Sequence, residues 1–334
     1  MNIPKPEYPK KTEEVDMAKS TFLDKKLQQG QIILLDGATG TELEKRGVPM
    51  NSKAWSAEAI ITHPKIVQAI HEDYLHAGVD IITVNTFSTA RHILLSAGLT
   101  SQFDHLNREA VKLAVRAREN VAASPVAIAG SIAPTTFCAD PTKCYPPLSE
   151  AFAWYREQAE LLAEAGVDLL LIEMIEDIEQ GSLAVQAACS TGLPVWLGFS
   201  CRRNDAGEMM LWERAQTLEE GIKAISRIGG SAAFIMHTEV SDTAEAFSIL
   251  KTCWKNTLGV YAHSGRFVMP SWNFNDIISP EEYGVEAGRW IEMGARIIGG
   301  CCGIGPTHIK ELKKLYCSQK LVRECPFPSS LNSI

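Results

Sequence analysis

The sequence predicts an α/β chain folded as a single-domain (β/α)8 TIM barrel, and three observations carry that expectation. From residue 31 a beat of apolar run, loop and helical stretch recurs eight times in about 300 residues. The apolar runs lack the polar-apolar alternation of one-sided strands, as suits a parallel sheet covered by helices. An Ala-Gly-Val-Asp phrase leads into two of the runs, at 77–80 and 165–168, and reads as a helix C-cap glycine followed by a short turn. A doubly wound open sheet is the alternative. It would call for a phosphate-binding glycine fingerprint after its first strand, and Asp36-Gly37-Ala38-Thr39-Gly40 lacks that spacing.

Taken in order, residues 1–28 are polar and read as an N-terminal arm or extended lead-in. Strands are predicted at 32–36, 81–87, 126–132, 169–174, 195–201, 232–237, 258–262 and 296–300. Helices are predicted between them at 65–76, 107–121, 149–165 and 281–293. Met293-Gly294-Ala295 approaches the last strand as the Ala-Gly-Val-Asp phrases approach theirs. The barrel is expected to span 29–316, with 317–334 as a C-terminal tail and no linker to a second domain.

Composition narrows the function classes. A chain of 334 residues with 46% hydrophobic and 22% charged residues can bury a full core. A net charge of −8 argues against nucleic acid or anionic membrane as the main partner. There is no run of membrane-spanning length and no apolar signal core, so a cytoplasmic protein is expected. Nine cysteines, odd in number and scattered, do not form a disulfide framework, and reduced thiols remain free for metal or substrate.

The last strand stops on Gly299-Gly300-Cys301-Cys302-Gly303. Adjacent cysteines can be small buried apolar residues, or a strained vicinal disulfide. They can also hold Zn²⁺ at its Zn–S distance of ~2.3 Å, and a thiolate-rich zinc activates a further thiol near neutral pH. Two ligands do not make a zinc site, so a third must come from elsewhere. In a barrel, reactive residues gather at the C-terminal strand ends. Those ends read Asp36, Asn85 with Thr86, Ser131, Glu173, Cys201, His237, His263, Cys301 and Cys302. Singly each has an ordinary explanation, Asp36 as a helix cap and His237 as a bonded core histidine among them. Together they mark one rim.

Several segments resemble the homocysteine S-methyltransferase family, the zinc-dependent barrels that include betaine–homocysteine and S-methylmethionine–homocysteine methyltransferases. They are ILLDGATGTELEKRG (33–47), HPKIVQAIHEDYLHAGVDIITVNTF (63–87), AGSIAP (129–134), AGVDLLLIEMIEDIEQG (165–181), VYAHSG (260–265) and GARIIGGCCGIGPTHI (294–309). They stand in family order from residue 31 to about 312. The resemblance implies methyl transfer from a small onium donor to a thiol acceptor, homocysteine, giving methionine. It implies Zn²⁺ as cofactor, with Cys301 and Cys302 as paired ligands. Asp36 and Gly37 match the loop that contacts the amino-acid end of homocysteine, and Glu173 the carboxylate that holds its ammonium. A zwitterion needs an anion at one end and N–H donors at the other, which the glycine-rich turn at 37–40 could supply.

The chain departs from the family at two strand ends. The family's third zinc ligand is a cysteine at the end of the sixth strand, where this chain has His237. Cys₂His with an open position is a working catalytic set, so His237, Cys301 and Cys302 are the expected ligands, with substrate sulfur in the fourth place. Two alternatives stand beside it: Cys201 swinging in as a third thiolate, or a site without metal. His263 replaces the family's usual asparagine, as a partner behind the ligands, a fourth ligand or a proton carrier. For the donor, no cobalamin or folate module follows the barrel, and Trp55 (in KAWSAE, resembling the family's LWSA), Phe87 and Trp272 are candidate cation–π faces. A homo-oligomer joined by the lead-in is the remaining partner expectation. Competing readings are a barrel lyase or aldolase, for which no strand-end lysine is present, a thiol- or zinc-binding barrel without methyl transfer, and a relative acting on a different thiol.

Overall fold

The computed structural model describes residues 22–50, 53–135, 145–212, 215–268 and 273–317. Eight parallel strands form the barrel: β1 (Ile33–Leu34), β2 (Ile81–Thr83), β3 (Ala127–Ile132), β4 (Leu169–Ile175), β5 (Val195–Phe199), β6 (Ala232–Glu239), β7 (Thr257–His263) and β8 (Ile297–Ile298). The hydrogen-bonded order runs β1-β8-β7-β6-β5-β4-β3-β2, and a parallel bridge between Leu35 and Ile81 joins the two ends.

Alternation along the strands builds two cores from continuous apolar runs. Ile33, Leu35, Ile81, Leu169, Leu171, Phe234 and Ile297 fill the barrel interior. Leu34, Ile82, Leu170, Ile172, Ile235 and Ile298 face the opposite way, into the layer under the helices. Both faces are buried, which is why the runs show no polar beat. Gly78 and Gly166, at φ 91° and 98°, are left-handed C-caps to helices Pro64–Ala77 and Leu148–Ala165, as the Ala-Gly-Val-Asp phrases require.

The structure differs from the sequence reading in three places. Residues 22–28 of the lead-in are not extended: Phe22–Gln28 is a helix whose Phe22, Leu23 and Leu27 pack against the interior core. Residues 1–21, the rest of the expected arm, lie outside the described residues, as does the tail from 318. The second strand stops at Thr83 because Val84–Thr86 turns sharply (Thr86 N–H to Val84 C=O, 2.7 Å) into a 3₁₀ turn at Phe87–Thr89. The fifth run ends at Phe199, and Cys201 opens an antiparallel hairpin, Cys201–Arg203 with Met209–Leu211. A similar ribbon, Arg266–Val268 with Asn273–Asn275, follows β7. Among the described residues no helix is long and apolar enough to cross a membrane.

Candidate metal centre

The thiol pair hangs between two neighbouring strands. The Gly300 N–H donates to Asp36 C=O (2.9 Å), the Cys301 N–H to Ala262 C=O (2.9 Å), and the Ser264 N–H to Cys302 C=O (3.1 Å). Gly300 has to be glycine, because a Cβ there would stand 2.2 Å from Ile304 Cγ2. His237 reaches the pair through a break in the β6–β7 register between Met236 and Glu239, and its φ is +43°. Left-handed backbone at a non-glycine residue costs about 1–3 kcal/mol. Trp55 (φ +45°) and Met174 (φ +58°) share that conformation and line the same cavity, so backbone strain is concentrated at this rim.

His237 Nδ1 lies 3.4 Å from Cys301 Sγ and 3.8 Å from Cys302 Sγ. All three ligand atoms fall within 4.8 Å of one another. A tetrahedral ion with Zn–S of ~2.3 Å and Zn–N of ~2.0 Å sets N···S at ~3.5 Å. The donor set therefore fits zinc in chemistry and in spacing. The Cys301 thiol donates to Cys302, which pushes Cys301 well above the usual thiol range and holds Cys302 well below it.

Two other rim residues stand apart from the ligand group. Cys201, offered as an alternative third thiolate, is fully buried with its sulfur 3.3 Å from Thr238 Oγ1, and burial pushes it up to about 12. His263 packs its ring on that of His237, with centroids 4.6 Å apart, and turns Nε2 to Glu239 Oε1 at 3.0 Å. Burial works to lower the His263 pKa, but the Glu239 hydrogen bond and the negative charge on Cys302 leave it raised.

Two acids line the same cavity as the thiols. Asp36 accepts the Thr83 N–H (2.6 Å) and the Thr83 hydroxyl (2.8 Å), and burial pushes it up to about 8. Glu173 accepts the Ser131 hydroxyl, and burial pushes it up to about 7. Both face a cavity of about 670 Å³, open mouth included, which the thiols, His237, Met174, Met236, Trp55 and Phe87 also line. Gly37 has a packing reason to be glycine: a Cβ would meet Ile304 O at 2.2 Å. Of the turn's N–H groups, Ala38's is already taken by Ile304 C=O at 3.0 Å. Helix Thr39–Lys45 starts there with no side-chain cap.

Trp55 and Phe87 meet edge to face at 6.1 Å, and the Trp55 indole lies against Gly40, where a Cβ would be 2.3 Å from Cζ2. Asn85 pins this loop: it accepts the Ser56 hydroxyl (2.9 Å) and donates to Ser56 C=O (3.0 Å). Trp272 lies outside the described residues. Sequence reasoning missed Trp212, whose ring centroid is 5.4 Å from that of His237 and 6.0 Å from that of His263. The turn Asn204-Asp205-Ala206-Gly207 between two short runs was the available signal for the hairpin that carries it. Thr83 and Glu239 were missed as well, since each acts only through a neighbour.

A family model described as homocysteine S-methyltransferase matches residues 33–316. The homocysteine S-methyltransferase of Escherichia coli (strain K12) is 28% identical over 319 residues, covering 89% of this chain and 99% of its own length. The homocysteine S-methyltransferase YbgG of Bacillus subtilis (strain 168) is 28% identical over 307 residues, covering 84% and 93%. Among solved structures, the metallated form of the homocysteine methyltransferase MmuM from Escherichia coli has a TM-score of 0.73 at 25% identity, over 87% of this chain and 99% of that one.

Proposed function

The chain belongs to the homocysteine S-methyltransferase family, and we propose that it carries a methyl group from a small sulfonium or betaine-like donor to homocysteine, with Zn²⁺ held by His237, Cys301 and Cys302. The observation that carries this reading is one imidazole nitrogen 3.4 and 3.8 Å from two adjacent sulfurs, in the lining of a cavity that two acids also line. Bound there, zinc would supply the Lewis acidity that lets a thiol lose its proton near neutral pH.

The chain's own groups do the rest. Asp36 and Glu173 take the acceptor's ammonium, and ionise as it binds. The uncapped first turn of helix Thr39–Lys45 is the donor surface for its carboxylate. Trp55 and Phe87 offer aromatic faces to the donor's onium, worth about 0.5–2 kcal/mol each. The cavity holds acceptor sulfur and donor methyl in line and away from water. As the S–CH₃ bond to the acceptor forms, the donor's bond to that methyl breaks and its electron pair stays on the donor's sulfur or nitrogen, which becomes neutral. The acceptor's proton has already gone to solvent, so no general base is needed. A reducing cytoplasm would keep the pair as thiols.

Two thiolates and a neutral imidazole carry one negative charge fewer than three thiolates. The acceptor sulfur is then easier to deprotonate but less electron-rich, so the enzyme depends on a well-activated donor. Metal analysis of purified protein, with sulfonium and betaine donors screened against homocysteine, tests the reading. Zinc near one per chain and methionine formed with at least one donor are expected; zinc-replete protein that methylates no thiol would leave a thiol-binding barrel. His237→Cys should keep zinc and widen the donor range. Unchanged zinc with no donor used faster would refute the charge argument.

A further inference from the structure

We infer that Trp212 and His263, the latter braced by Glu239, are positioning residues that clamp the His237 imidazole and so compensate for a histidine standing where the family has cysteine. The inference rests on the metal reading above. A cysteine sulfur sits one bond from Cβ and has no ring to orient. An imidazole must also be held in rotation before Nδ1 can point at two sulfurs, and the strained backbone of His237 does not by itself fix that rotation.

The structure holds the ring from two directions. His263 packs on it at 4.6 Å between centroids with 42° between the planes, and Trp212 at 5.4 Å and 56°. The two clamping rings also meet each other, at 6.0 Å. Each has its own anchor. Glu239 pairs with His263 in the β6–β7 ladder just past the bulge, and Glu239 Oε1 meets His263 Nε2 at 3.0 Å. Trp212 closes the hairpin after β5, where its N–H donates to Ser200 C=O (3.3 Å). The Ser200 hydroxyl in turn donates to His237 C=O (3.2 Å), so one residue ties the clamp and the ligand backbone together. The Arg202 guanidinium lies over Trp212, 5.8 Å from its ring, and braces the indole further. The hairpin thus has a purpose that the barrel itself does not require.

The test is zinc affinity, measured by chelator competition on the full chain, with circular dichroism as a check on folding. Trp212→Ala and His263→Asn should each weaken zinc about 10-fold or more, the range typical of partners that orient a ligand. Trp212→Phe, which restores a flat ring, should recover most of the loss. In a His237→Cys background, Trp212→Ala should change affinity less than twofold, because no imidazole remains to be held. Equal losses in both backgrounds would make Trp212 a fold residue and overturn the clamp, as would wild-type affinity in Trp212→Ala. A wild-type chain that binds no zinc would instead overturn the metal reading beneath it.

Discussion

At the scale of single residues, the unusual chemistry is a pair of acids kept wholly or partly protonated until something cationic arrives. Burial chiefly raises both: Asp36, pushed up to about 8, is largely neutral at pH 7 in the ligand-free chain, and Glu173, pushed up to about 7, is about half protonated. Binding an ammonium must therefore release protons. Isothermal titration with 2-aminobutyrate, which has the amino-acid end but no thiol, should show proton release at pH 6.5 that shrinks by pH 9 when run in buffers of different ionisation heat. No buffer dependence would mean that the acids do not face the ammonium. Stability carries the matching sign. A carboxyl with a raised folded pKa contributes stability in full below its unfolded value near 4, and loses it as pH rises through about 8. Asp36→Asn should then raise the melting temperature relative to wild type increasingly from pH 4 to pH 8, while weakening 2-aminobutyrate about 10- to 100-fold. Asp36, Glu173, His237 and the thiol pair could be read from sequence because each is a polar residue placed where an apolar strand stops. Thr83 could not: a threonine within a strand looks like any other, and its importance comes only from the two hydrogen bonds it gives Asp36.

At the scale of elements, loops decide what the barrel rim can hold. Gly40 makes room for the Trp55 indole, so Gly40→Ala should displace the ring and raise the donor KM several-fold. Homocysteine affinity should change little in Trp55→Ala, which leaves the Thr39–Lys45 turn and both acids intact. Trp55→Ala should cost donor binding about 0.5–2 kcal/mol, and only for a permanent cation. Calorimetry showing the same loss for the tertiary amine product would sink the aromatic-face assignment. Strand centres were legible because both barrel faces are buried, and the Ala-Gly-Val-Asp caps fell where predicted. Strand ends were not, since Val84 and Cys201 continue the apolar run in composition while the strand has already stopped at Thr83 and Phe199. The hairpin carrying Trp212 was hidden because its first residue, Cys201, reads as the end of the β5 run.

At the scale of the whole molecule, floor and rim divide the labour expected of a barrel. Helix Phe22–Gln28 seals the floor with Leu23, 6% exposed against the interior core, although its polar sequence suggested an arm. Leu23→Ala should cost about 2–5 kcal/mol of stability, read by denaturant titration, and leave zinc affinity unchanged. A loss of zinc affinity there would mean that floor and rim are coupled. The proposed ligand set puts the His237 imidazole at the rim, where the resemblance implies a cysteine, with Trp212 and His263 packed around it. X-ray absorption at the zinc edge, recorded with and without homocysteine, reads that substitution directly. The account predicts two sulfurs and one nitrogen around the metal in the resting enzyme, and a third sulfur when homocysteine is added. A coordination shell that never gains that sulfur, or that contains no nitrogen, would contradict it.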